Sequence, residues 1–313
     1  MPVTAQTDSS ISDAVSAKSH SVRALEWTNF FLADVQAGLG PFVAAYLASI
    51  GWQAGAVGRA LTFGGIITVL LQTPAGWMVD RASRKRLIVV AGSMLLAVGA
   101  ILLATSGRAG VVYTAQGLIG LAGPFLGPTI AAITMGLVGS KFFDCQFGRN
   151  QGFNAGGNLF AAAAIAATSH FLGNRAIFYA VAILVLPTIV ATLMIKREDI
   201  DFNLARGGCE DETMQRHDTS GSWSLAKDRV LLAFLACAFL FHFANAAMLP
   251  QLGELLAHGS VESAAPFMGA CVAITQIVML FTAAYFGRFA NRHGRKGILL
   301  LGFSVLPIRA VLY

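Results

Sequence analysis

The sequence predicts an all-α polytopic membrane protein, and three observations carry that prediction. Charged residues make up only 12% of the chain and apolar ones 56%, so the charged share is about half that of a soluble domain. The mean hydropathy of +0.66 comes from long uninterrupted apolar runs. Basic residues gather in alternate connections between those runs. A hydrocarbon core about 30 Å thick takes about 20 helical residues to cross. Lipid offers no water to backbone N–H and C=O groups, so such runs must be helices.

Residues 1–22 read as a polar cytoplasmic tail, rich in Ser, Ala, Thr and Asp, without the basic-then-apolar order of a signal peptide. Eight complete spans are expected near 25–50, 57–79, 87–106, 110–138, 152–172, 175–195, 230–256 and 264–286, with part of a ninth at 298–313. The first six form an N-terminal bundle over 23–195. The polar, charge-mixed stretch 196–229, containing Gly207, Gly208 and the run Glu210, Asp211, Glu212, is expected to tether it to a partial C-terminal bundle over 230–313.

Orientation follows from Lys and Arg, which accumulate on the cytoplasmic side of short loops. Of the 22 basic residues, 18 precede span one or follow the even-numbered spans. The opposite loops hold Arg108 and Arg175, and Arg59 and Arg309 lie within or at the edge of spans. The N-terminus is therefore expected inside. The net charge of +6 is accounted for by orientation, so the lipid bilayer is the expected partner and nucleic acid is not. Cys145, Cys209, Cys237 and Cys271 are widely spaced without a C-x-x-C, and neither a metal site nor a cofactor is expected.

The two parts of the chain repeat. Pro41 in span one and Pro250 in span seven lie 209 residues apart, and Gly76 and Gly287, at the ends of spans two and eight, lie 211 apart. Two unrelated landmarks agree, which marks a parallel repeat of about 210 residues. On that register residue 313 falls inside the counterpart of span three, and the second half is expected to be truncated.

The connection after span two reads Gly76, Asp80, Arg81, Ser83, Arg84, Lys85, and that after span eight reads Gly287, Asn291, Arg292, Gly294, Arg295, Lys296. Both resemble the G-x-x-x-D-R-x-G-R-R signature of the major facilitator superfamily, with Ser83 in place of the glycine in one copy and Asn291 in place of the acid in the other. The resemblance covers roughly 22–313 and implies two six-helix bundles with a central solute site. It also implies that these residues latch the bundles in the outward-facing state, the second copy meeting span five. Physically, a glycine at a helix end admits a second helix, and an Asp can face a helix N-terminus while arginines hold it. The alternative is a positive-inside cluster that sets topology alone. Gln116 and Gly117 resemble the R-x-x-Q-G of proton-driven members, with Tyr113 at the Arg position. Gly120, Gly123, Pro124, Gly127 and Pro128 resemble the antiporter glycine–proline motif, which belongs in span five rather than span four, and close packing or a kink is the competing role.

Polar residues within spans are costly and so are candidates for substrate or proton contact. Asp34 in span one and Gln72 in span two lie at similar depth. Asp34 could share a hydrogen bond with Gln72, exchange a proton or hold a cation. Gln36 and Asn245 occupy corresponding places in the repeat. His242 with Asn245 and Asn154 with Asn158 each share a helical face. Gln116, Gln276 and Arg309 complete the set, Arg309 suiting an anionic solute or a carboxylate partner. Neither a P-loop nor H-E-x-x-H nor G-x-S-x-G occurs, so neither ATP drive nor an enzyme is expected. The expected function is secondary transport of a small solute, ion-coupled and by alternating access, in a bacterial inner membrane. The competing reading is a truncated, non-transporting remnant or receptor-like scaffold on the same fold.

Overall fold

The apolar runs become helices wherever the chain is described. The computed structural model describes residues 18–33, 41–172, 175–206, 228–259 and 261–312. In order these form α1 (18–33), α2 (Pro41–Ser49), α3 (Ala54–Arg81), α4 (Lys85–Thr105), α5 (Ala109–Leu172), α6 (Ala176–Met194), a 3-10 turn (Leu204–Arg206), α7 (Arg229–Gly259), α8 (Val261–His293) and α9 (Arg295–Leu312). Among the described residues five helical segments are long and apolar enough to cross a membrane: Ala54–Arg81, Lys85–Thr105, Ala109–Ala164, Ala176–Met194 and Ala273–His293.

α5 is two passes rather than one. Its helical geometry breaks at Gly139, where φ is 71° and ψ 175°, a region that suits a residue without Cβ. Asn150 Nδ2 donates to Thr134 Oγ1 at 3.0 Å, although 16 residues of straight helix would hold them about 24 Å apart. The chain therefore folds back at Gly139. Residues 139–151, expected as a connection, are helical apart from that glycine. α1 is likewise already helical at residue 18, within the stretch expected as tail.

Contacts divide the chain into two units, one of Met1–Glu210 with Gln276–Arg288, the other of Asp211–Thr275 with Phe289–Tyr313. In the first, α3 and α4 pack along α5, and α6 packs on α4. Glycines set the spacing. A Cβ on Gly120 would run into the backbone of Gly64, one on Gly92 would lie 2.8 Å from Leu126, and one on Gly99 2.9 Å from Ile119, so these helices approach as only small residues allow. α6 shows the two faces clearly. Val181, Val185, Thr188 and Thr192 are buried, whereas Ile183, Leu186, Val190 and Leu193 are 50–64% exposed. An apolar stripe of that length is what lipid requires and water penalises. Four buried threonines satisfy their hydroxyls within the helix: Thr129, Thr134, Thr188 and Thr192 each donate to the carbonyl four residues back.

The start of the expected linker is ordered against this unit. Ile200 and Ala205 are buried, and Asp201 N–H donates to the Gly136 carbonyl at 2.9 Å. In the second unit Phe241 meets Phe303, their ring centroids 4.9 Å apart, which brings α7 beside α9.

Candidate functional site

The loop after α3 is knitted by its cations. Arg81 stacks on the Trp77 ring 3.8 Å from its centroid, and the Arg81 carbonyl accepts from Arg206 Nη2 at 3.0 Å. Lys85 is buried and donates Nζ to the Val79 carbonyl at 2.7 Å. Arg86 donates to the carbonyls of Leu193 and Ile195. These bonds cap the C-terminal ends of α3 and α6, whose last carbonyls have no partner within the helix. Asp80 and Arg84 are exposed, and a Cβ on Gly76 would meet open space.

The second copy is built differently. A Cβ on Gly287 would run into the Asp144 carbonyl and lie 3.0 Å from the Gly148 Cα. One turn on, a Cβ on Gly152 would lie 3.2 Å from the Leu280 carbonyl. The end of α8 therefore lies backbone to backbone against the second pass of α5. Gly294 takes a positive φ of 84° at the break between α8 and α9, while Asn291, Arg292, Arg295 and Lys296 are exposed.

A buried polar network sits where α1 meets this pass of α5. Glu26 is 3% exposed and accepts from Arg149 Nε at 2.9 Å and from Gln146 Nε2 at 3.0 Å. Gln146 also donates to Asn150 Oδ1 at 3.1 Å, and Asn150 continues to Thr134. The chain of bonds runs from an acid through two amides to a hydroxyl, so the carboxylate is held by a charge and a neutral donor together. Arg149 also lines a cavity of about 390 Å³ with Trp27, Phe30, Phe153 and Leu280. Trp27 stacks on Phe31 and meets Phe30 and Phe153 edge-on. The site thus offers aromatic walls and one guanidinium already engaged by a buried acid.

The polar residues singled out in the sequence fall into groups. Asn158 Nδ2 donates to Asn154 Oδ1 at 3.2 Å and to Gln276 Oε1 at 3.4 Å, uniting three candidates across α5 and α8. Gln276 is one turn from Leu280 in the cavity wall. Arg309 Nη1 donates to Asn245 Oδ1 at 2.8 Å, uniting two more. Gln116 is buried against Gly64, and among the described residues its Nε2 has no hydrogen-bond partner. Gln72 is exposed on α3 and His242 is exposed on α7 beside Phe241. Asp34 and Gln36 lie outside the described residues. Glu26, Gln146 and Asn150 were not singled out. Gln146 and Asn150 stand four apart, a same-face signal that a helical reading of 140–151 would have exposed.

Three comparisons with known proteins bear on this chain. The family model for the Major Facilitator Superfamily matches residues 27–309. The uncharacterized MFS-type transporter of Mycobacterium tuberculosis, in strain CDC 1551 / Oshkosh and again in strain ATCC 25618 / H37Rv, is 40% identical over 292 residues, which is 93% of this chain and 70% of that protein. Among solved structures, an auto-inhibited POT family peptide transporter aligns at 17% identity with a TM-score of 0.47, over 90% of this chain and 54% of its own. The POT family transporter PepTSo aligns at 16% identity with a TM-score of 0.45, over 93% and 57%. The chain therefore spans little more than half the length of those two.

Proposed function

Because this chain belongs to the Major Facilitator Superfamily, a family of transporters rather than enzymes, we propose that it carries a small solute across a bacterial inner membrane by ion-coupled alternating access. The basic connections face the cytoplasm in this reading, with the N-terminus inside, and the solute is reached from the cavity beside α1 and α5. One observation supports it above the others: a buried carboxylate, Glu26, holds Arg149, whose guanidinium lines that cavity.

An acid in such a place costs free energy and is kept for a purpose. Protonating Glu26 removes the charge that attracts Arg149. The guanidinium, half exposed already, is then free to turn towards a solute or towards water. Gln146 and Asn150 keep the carboxyl positioned in either state. The solute's arrival and the proton's arrival are thereby linked through one side chain. The amides of Asn154, Asn158 and Gln276 supply further donors and acceptors beside the same wall.

The test uses proteoliposomes loaded with a pH-sensitive dye and challenged with a panel of small solutes. Wild type should show a solute-evoked pH change, and Glu26→Gln should abolish it while remaining monodisperse and correctly inserted. Absence of any solute flux from fully incorporated wild type would overturn transport and favour a scaffold. An unchanged pH response in Glu26→Gln would overturn Glu26 as the coupling acid.

A further inference from the structure

We propose that the cleft between the start of α4 and the segment after α6 binds the phosphate group of an anionic phospholipid. The cleft has a volume of about 180 Å³, and Arg84, Lys85, Arg86 and Arg197 all line it. Positive-inside sorting explains why cations are numerous at this end of the bundle. It does not explain why four of them, from two separate segments, converge on one concave surface.

Their direct partners hold them in place without carrying a countercharge. Lys85 and Arg86 donate to backbone carbonyls, of Val79 in one case and of Leu193 and Ile195 in the other. Arg197 lies 5.8 Å from the Phe202 ring centroid. Each of these partners is neutral. Two of the nearby acids are committed elsewhere: Asp199 accepts from Ser21 Oγ, and Asp201 accepts from the N–H groups of Asn203 and Leu204, while Glu198, beside Arg197, is exposed and outside the lining. Asp80 is exposed and lies outside the lining residues, although its carboxylate acts on the Lys85 charge from beside the cleft. Among the described residues the cleft's lining therefore holds four basic side chains and no carboxylate, an arrangement that selects an anion, and guanidinium groups suit phosphate in particular.

Free phosphate has the same chemistry, but the surroundings favour a lipid. Leu87, which also lines the cleft, is about half exposed, as are Leu193 and Met194 at the end of α6. An apolar flank beside a cationic cleft at the end of membrane spans fits a headgroup with its acyl chains running down the bundle.

The experiment places the full purified chain in phosphatidylcholine nanodiscs with and without phosphatidylglycerol and measures retained lipid by native mass spectrometry and by titration of a fluorescent phosphatidylglycerol. Wild type should take up phosphatidylglycerol saturably and in preference to phosphatidylcholine. Arg84→Gln with Arg197→Gln, which leaves the carbonyl-bound Lys85 and Arg86 intact, should weaken binding about fivefold per cation and so about 25-fold together. Arg84→Lys with Arg197→Lys should retain most of it. Binding by the Gln pair as tight as wild type, or no preference over phosphatidylcholine, would overturn the proposal. Displacement of the lipid by inorganic phosphate at the concentration that fills the cleft would overturn the lipid as its source. Should the Gln pair fail to fold, the preference of wild type and of the Lys pair decides, and its absence in either is fatal.

Discussion

The same short motif occurs twice in this chain, after α3 and at the junction of α8 with α9, and its matching residues stand in opposite surroundings. Gly76 has open space where a side chain would go, while its counterpart Gly287 lies against the backbone of Asp144 and Gly148. Lys85 is buried and bonded to a carbonyl, while Lys296 is exposed. Ser83 needs no special backbone, while Gly294 takes a φ of 84°. A repeated sequence thus repeats the placement of a turn but not the duties of its residues. Those duties are set by whichever element packs alongside, and local spacing does not encode that.

Substitutions at matched positions can break or sharpen this contrast, each read as the change in unfolding midpoint of detergent-solubilised protein. The largest effect is expected at Gly287→Ala, where a methyl group meets backbone that cannot rotate away; a loss of about 3 kcal/mol is expected. Lys85→Ala leaves the Val79 carbonyl without its donor and should cost about 2 kcal/mol, whereas Lys296→Ala should leave the midpoint unmoved. Equal losses at the two lysines would show that their charge, not their burial, matters. Gly294→Ala forces an alanine into the left-handed region at a cost of about 1 kcal/mol, with Ser83→Ala close to neutral. The smallest and most diagnostic change is Gly76→Ala. Open space and a helical backbone predict a gain of up to about 1 kcal/mol, so a clear loss there would reveal a close neighbour to Gly76 and erase the contrast with Gly287.

Hydropathy made the fold legible because each span must hide its backbone from lipid, a demand met by composition alone. The repeat and its motif were legible because they recur at one offset. The candidate site was legible only in pieces. Asn154 and Asn158 declare their shared face by spacing, but Gln276, 118 residues from Asn158, joins them through the packing of α8 on α5. Glu26 stands near the start of the first apolar run, where no spacing or motif in the sequence marks an acid as buried. Gln146 and Asn150 were hidden by reading their helix as a connection, since polar residues without an apolar stripe resemble a loop. In each case burial came from a partner far along the chain.

The reversal at Gly139 also bears on how the chain enters the membrane during synthesis. The two passes are joined through one non-helical residue and a polar helical stretch over 140–151 that carries Lys141 and Arg149, so no irregular loop has to be ordered before they can pair. They should therefore be released into lipid together as a finished hairpin, with the Asn150–Thr134 bond formed before α6 is made. A break in that hairpin would then be felt first as failed biogenesis, before any loss of transport could be measured.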